Sequence, residues 1–127
     1  MDTTAEVIRR FNDAFVERNA ALLDGLIDDD CVMVGVQPAP EGTAYHGRAA
    51  CAAFWTALID DPGTRFTPQE VIVAGDRAVI SWRAAFSAAP DPERVFGEGQ
   101  ADWVLGVNVM RVENGRITEA LGYSKTP

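Results

Sequence analysis

Near the start of the chain apolar positions recur at helical spacing. Val7, Ile8, Phe11, Ala14 and Phe15 fall on one side, with Arg9, Arg10, Asp13 and Glu17 on the other. This pattern predicts an amphipathic helix that Thr3 or Thr4 can cap and that ends near residues 18–19. Leu22, Leu23, Leu26 and Ile27 predict a second short helix over 20–27. Asp28, Asp29 and Asp30 are then assigned to the following loop, because acidic side chains at a helix C-terminus oppose the macrodipole. The valine-rich run 31–36 predicts a strand covered on both faces. Pro38, Pro40 and Gly42 force a loop, which includes Tyr45 and His46, and residues 49–60 predict a third helix. Cys51, Ala52, Phe54, Trp55, Leu58 and Ile59 leave that helix little polar face, so it should be deeply packed.

After Pro62 and Gly63 the pattern changes to strands over about 66–74, 77–87, 100–112 and 117–124. Gly75-Asp76 and Asn114-Gly115 mark turns, and residues 88–94, with two prolines, read as a surface loop. No repeat or linker interrupts the series, so residues 1–127 are expected to form one domain. Helices first and an antiparallel meander afterwards is the α+β arrangement. The expected form is a cone-shaped α+β barrel, its curved, mostly antiparallel sheet wrapped around three N-terminal helices. Curved sheets hold pockets in their mouths, and the aromatic side chains are numerous enough to line one.

Composition narrows the partners. The chain carries 11 Lys and Arg against 19 Asp and Glu, a net charge of -8. That balance opposes nucleic acid or an anionic membrane as a partner. Cys31 and Cys51 are too few for a disulfide framework, and a single histidine, His46, excludes a multi-histidine metal site. Neither a signal-peptide pattern nor a membrane-length apolar run is seen, so a cytoplasmic protein is expected, with no metal and no cofactor.

The chain resembles the SnoaL-like, polyketide-cyclase-like branch of the nuclear-transport-factor-2-like superfamily. The resemblance rests on the N-terminal helical pair leading into Asp29-Asp30-Cys31-Val32, on Tyr45-His46-Gly47-Arg48, and on the closing pattern Val107-Asn108-Val109-Met110-Arg111-Val112-Glu113-Asn114-Gly115-Arg116-Ile117-Thr118-Glu119-Ala120. It implies a curved sheet around an apolar cavity that hosts isomerases, cyclases, epoxide hydrolases or binding modules. It also locates what this chain lacks. The isomerase base would fall on Gly35 and its phenol on Phe11, with its protonated carboxylic acid replaced by Asn108. The cyclase carboxylate would fall on Gly122. Of the epoxide-hydrolase set, Arg83 matches, but Ala85 and Gly122 replace the acids.

Two registers are open for the last hairpin. A two-residue loop at Asn114-Gly115 pairs Glu113 with Arg116 and sets Asn108 opposite Leu121. A three-residue loop pairs Val112 with Arg116 and sets Asn108 opposite Ala120. The second is preferred, because it aligns Gly106, Asn108, Met110, Thr118, Ala120 and Gly122 on the cavity face. It leaves Val107, Val109, Ile117, Leu121 and Tyr123 on an outer face, and a homodimer packed through Trp103, Val107, Val109, Leu121 and Tyr123 is expected.

Asn108 and Asp102 are the candidate catalytic pair, the amide polarising a carbonyl and the carboxylate moving a proton. Phe11, Phe15, Met33, Tyr45, Trp55, Trp82 and Met110 are the candidate ligand-binding residues. Only one of Trp82 and Arg83 can face inward. The implied ligand is a small hydrophobic molecule, acted on by a cofactor-free enzyme or held by a non-catalytic binding protein.

Overall fold

The computed structural model describes residues 3–36, 40–86 and 103–125. Helix α1 (Thr4–Val16) begins where Thr3 accepts from the backbone N–H of Glu6 at 3.2 Å and donates to Glu6 Oε1 at 3.0 Å. This reciprocal pairing satisfies an N–H that the helix itself leaves open. Val7, Ile8, Phe11 and Ala14 are buried along one stripe, as the periodicity requires.

The predicted second helix is not formed. Residues Ala20–Leu23 make only one 3₁₀ turn, capped by Asn19, whose side chain accepts from Ala21 N–H at 3.1 Å. Gly25, at φ 79°, turns the chain out of any helical path. Strand β1 (Ile27–Val34) therefore starts earlier than expected, and Asp28, Asp29 and Asp30 lie in it and not in a loop. Its pairing is irregular there, and Asp29 and Asp30 are exposed while Ile27 and Cys31 are buried, so the acids need no burial. A three-residue strand missed in the sequence, β2 (Ala44–His46), pairs antiparallel with β1. Helix α2 (Arg48–Asp60) follows Gly47, and Cys51, Trp55, Leu58 and Ile59 are its buried residues. Arg18 closes its far end, the guanidinium donating to the carbonyls of Ile59 and Asp61 at 3.0 Å each and to that of Thr64. Cys31 and Cys51 are free thiols in the core, and Cys51 Sγ donates to the Cys31 carbonyl at 3.5 Å.

The remaining strands are β3 (Thr64–Ala74), β4 (Arg77–Phe86), β5 (Trp103–Glu113) and β6 (Arg116–Lys125). Among the described residues the six strands form one sheet in the order β2-β1-β6-β5-β4-β3. The architecture is α+β with a mostly antiparallel sheet, as expected, and with two corrections to its expected form: among the described residues two α-helices are present where three were predicted, and the sheet is open. The β1–β6 pair is parallel, the other pairs antiparallel, and β2 and β3 are edges.

The preferred hairpin register is also corrected. Asn114 and Gly115, both at positive φ, make a two-residue turn, and Glu113 pairs with Arg116. Val112 pairs with Ile117, and a bulge then leaves Thr118 unmatched, so that Arg111 pairs with Glu119 and Asn108 with Gly122. The bulge turns Ile117 inward with Val112, both buried, and removes Ile117 from the predicted outer set. Among the described residues, no helix is long and apolar enough to cross a membrane.

Candidate functional site

Alternation along β4 decides which side chains look inward. Ala78, Ile80, Trp82, Ala84 and Phe86 are all buried, whereas Arg83 is exposed on the outer face with its guanidinium carbon 4.8 Å from the centre of the Trp103 ring. Trp82 is thus the inward member of that pair. Its ring lies over Gly106, its direct partner on β5, where a Cβ would sit only 2.2 Å from Trp82 Cη2. No side chain other than hydrogen fits there.

Between α1, α2 and the inner sheet face lies a cavity with about 60 Å³ open to the centres of water molecules. Its aromatic wall is continuous. Trp55 meets Phe11 edge-on at 5.0 Å, Phe11 meets Phe15 at 5.1 Å, Phe15 meets Phe66 at 5.5 Å and Phe66 meets Trp82 at 5.5 Å. Such tilted and edge-on pairs are the favoured aromatic geometries. Of the predicted ligand-binding residues, Phe11, Phe15, Met33, Trp55 and Trp82 line this space.

Two do not. Met110 shares the parity of Asn108 but is fully buried in the core, and Tyr45, on the edge strand, packs its ring against Phe54 at 4.8 Å. The lining also contains residues that the sequence reading missed, chiefly Asn12, Phe54, Leu58 and Phe66. Asn12 had a signal, since it stands four residues after Ile8 and three before Phe15, on neighbouring rows of the same helix.

Asn12 and Asn108 carry the only amide side chains of the lining, and no ionisable side chain belongs to it among the described residues. Asn108 Oδ1 accepts from Trp82 Nε1 at 3.3 Å. The neighbours of Asn108 across the sheet are Ile80 and Gly122, which offer no polar side chain. Position 122 looks straight at the amide, since a Cβ there would lie 3.5 Å from Asn108 Oδ1 and 3.2 Å from the Val34 carbonyl oxygen. Gly35 is also part of the lining, and His46 is exposed on β2. Asp102, the predicted partner of Asn108, lies outside the described residues. Among those described, no cluster of His, Cys, Asp and Glu is arranged to hold a metal ion.

A sequence model of the SnoaL-like domain matches residues 8–120. Among solved structures, an NTF2-like protein of unknown function from Mesorhizobium loti is 46% identical, with 96% of this chain and 90% of that one covered and a TM-score of 0.82. A candidate ketosteroid isomerase of Kribbella flavida superposes with a TM-score of 0.73 at 18% identity, covering 98% and 80% of the two chains. An LEH-like epoxide hydrolase of M. tuberculosis gives 0.71 at 18% identity, covering 96% and 82%. At such identities the last two likenesses concern the fold alone. No match was found among curated proteins.

Proposed function

This chain belongs to the SnoaL-like family, and from that premise we propose that it binds a small, uncharged, mostly apolar molecule between its helices and its curved sheet. One observation carries the reading: the described lining is aliphatic and aromatic except for two amides, Asn12 and Asn108. A buried charge without a partner is costly, so a neutral ligand suits such a wall, and an amide there supplies orientation. Asn108 donates to a carbonyl or similar oxygen of the ligand. The cavity has room for only a few waters. A ring compound therefore enters as Phe15, Phe54 and Phe66, which are only partly buried, move aside.

Catalysis as a cofactor-free cyclase or isomerase is the second reading, favoured by the hydrogen-bond donor that Asn108 would offer a carbonyl. In it Asp102 moves the proton. Arg83 and His46 are exposed and are not assigned that task.

Native mass spectrometry of protein purified from its own host tests both. A retained neutral compound, released on denaturation, is the expected result. Conversion of that compound by the wild type, lost in Asp102→Asn, would favour the catalytic reading. Protein that carries no compound and binds none of a panel of neutral bicyclic ketones would end the proposal.

A second copy of the chain is proposed on the outer sheet face. Support comes from the cross-strand row Ile72, Val79, Val109 and Leu121, extended by Val107, Tyr123 and Trp103. Tyr123 is 56% and Trp103 45% exposed. Of the nearby charges, Arg77 is paired within the protomer with Glu119 at 3.2 Å and Arg111 with Glu113 at 3.6 Å, while Arg83 lies over the Trp103 ring. An apolar row of this extent is characteristic of an interface.

A further inference from the structure

We infer that Trp82 is a positioning residue that sets the hydrogen-bonding polarity of the cavity, so that the site selects ligands bearing an acceptor over ligands bearing only a donor. The inference rests on the pocket reading above and adds to it which end of Asn108 a ligand meets.

An asparagine amide is nearly symmetric in shape, with an acceptor at one end and two donors at the other. Which end faces a cavity is decided by its neighbours. An indole N–H can only donate, so the 3.3 Å contact from Trp82 Nε1 assigns the oxygen of Asn108 to the tryptophan side. It is the one hydrogen bond that the Asn108 side chain makes among the described residues. Ile80 and Gly122, on either side of Asn108, do not compete for the amide. The NH₂ end is what remains for a ligand.

The arrangement is built into the sheet. Trp82 pairs with Gly106, and Asn108 stands two residues further along β5 on the same face, at the diagonal distance that a long aromatic side chain can span. The indole crosses that distance by lying where a side chain at position 106 would be, 2.2–2.3 Å from its Cβ position. Phe66 holds the ring edge-on at 5.5 Å. Gly106 supplies the space, Trp82 the donor, and Asn108 the polarity.

Three bicyclic probes of similar shape separate the possibilities: 1-indanone has an acceptor only, indole a donor only, and indane neither. Affinities are read by calorimetry and by the side-chain amide signals of Asn108 and the indole N–H signals of Trp82 and Trp55. Wild-type protein is expected to bind indanone roughly tenfold more tightly than indole, because indole would leave the amide donors unsatisfied. Indanone should shift the Asn108 NH₂ signals while the Trp82 N–H signal stays in place. In Trp82→Phe the ring is kept and the donor lost. The amide is then free to turn, and the ratio should fall to within about twofold while indane binding is retained.

If none of the probes perturbs the Asn108 amide or Trp55 indole signals of the wild type, the pocket reading is overturned and this inference with it. If the probes bind but without preference for indanone, or the preference survives in Trp82→Phe, or all three weaken alike, the positioning role alone is overturned. Should Trp82→Phe fail to fold, the wild-type spectra decide. A Trp82 N–H signal that moves with indanone, showing that the amide turns over, would refute the inference.

Discussion

Replacing Gly106 by alanine probes the packing that brings the indole of Trp82 to Asn108. The added Cβ would lie 2.2 and 2.3 Å from Cη2 and Cζ2 of Trp82 and 2.7 Å from the backbone oxygen of Tyr123. Carbon atoms rest comfortably at roughly 3.5–4.0 Å, so the ring must retreat by more than about 1 Å. It has little room, being 6% exposed and held against Phe66. Retreat also stretches the 3.3 Å hydrogen bond to Asn108 beyond useful range. Overpacking of this kind costs about 1–3 kcal/mol and the lost hydrogen bond about 1 kcal/mol. Alanine recovers about 0.4–1 kcal/mol by restricting the unfolded chain. The net expectation is a destabilisation of about 2–3 kcal/mol, or a fall in Tm on the order of 10 °C for a domain of this size. Urea denaturation followed by circular dichroism gives the value. The reasoning also predicts non-additivity: in a Trp82→Ala background the further cost of Gly106→Ala should shrink to about 1 kcal/mol or less, the Tyr123 carbonyl being the remaining obstacle. Gly106→Ala within about 0.5 kcal/mol of wild type, or a cost undiminished in the Trp82→Ala background, would refute it.

Gly122→Asp places a carboxyl beside Asn108 and the Val34 carbonyl in an apolar wall, where desolvation raises its pKa above the unfolded value. The native state then holds the extra proton, so its stability relative to Gly122→Ala should be constant at low pH. It should fall by up to about 1.4 kcal/mol per pH unit as pH rises from about 4 to the folded pKa. A difference independent of pH between 4 and 8 would place position 122 in solvent. Burial pushes the Cys31 thiol above its ordinary range, with the adjacent Cys51 adding to the rise, and burial raises Cys51 too. At pH 8 both should react with a disulfide reagent more than about tenfold more slowly in native protein than in urea, and rapid native labelling would contradict their burial. On the outer face, sedimentation equilibrium should give a dimer for the wild type and a monomer for Val109→Glu. A wild-type monomer at micromolar concentration would remove the proposed interface.

The first helix was legible because its apolar residues form a single stripe, and β4 because its alternation is unbroken. The hairpin shows where pattern stops informing. A three-residue loop and a tight turn followed by a bulge each insert one extra residue, so both set the same parity. Asn108, Ala120 and Gly122 were therefore assigned to the cavity face correctly. The partner of Asn108 nevertheless slid by two, from Ala120 to Gly122, and Ile117 turned inward. The missing helix has a different cause. Leu22, Leu23, Leu26 and Ile27 have helical spacing, but Gly25 at φ 79° interrupts them, and the apolar run is shared between a 3₁₀ turn and a strand. In the site, the aromatic residues Phe11, Phe15, Trp55 and Trp82 were nameable from their types and positions. Phe66 was not, because it sits at the predicted start of a strand, and its contacts with Phe15 and Trp82 depend on pairings distant in sequence. Tyr45 stands on β2, the edge strand beyond β1, where its ring packs against Phe54 and is not part of the lining.

The order β2-β1-β6-β5-β4-β3 has a consequence for how the molecule is assembled. Strand β6 follows every other strand in the chain, yet it stands between β1 and β5 and joins the early strands to the meander. A chain halted before Arg116 would hold a two-stranded piece beside α2 and a three-stranded piece with no common edge. Both would expose the edges that β6 normally covers, which are templates for pairing with other chains. Docking of β6 next to β1 also closes the longest loop between paired strands, a contact that local structure alone cannot hasten. In the nascent protein the β1–β2 pair therefore waits, unjoined to the meander and exposed to misassembly, until β6 is made.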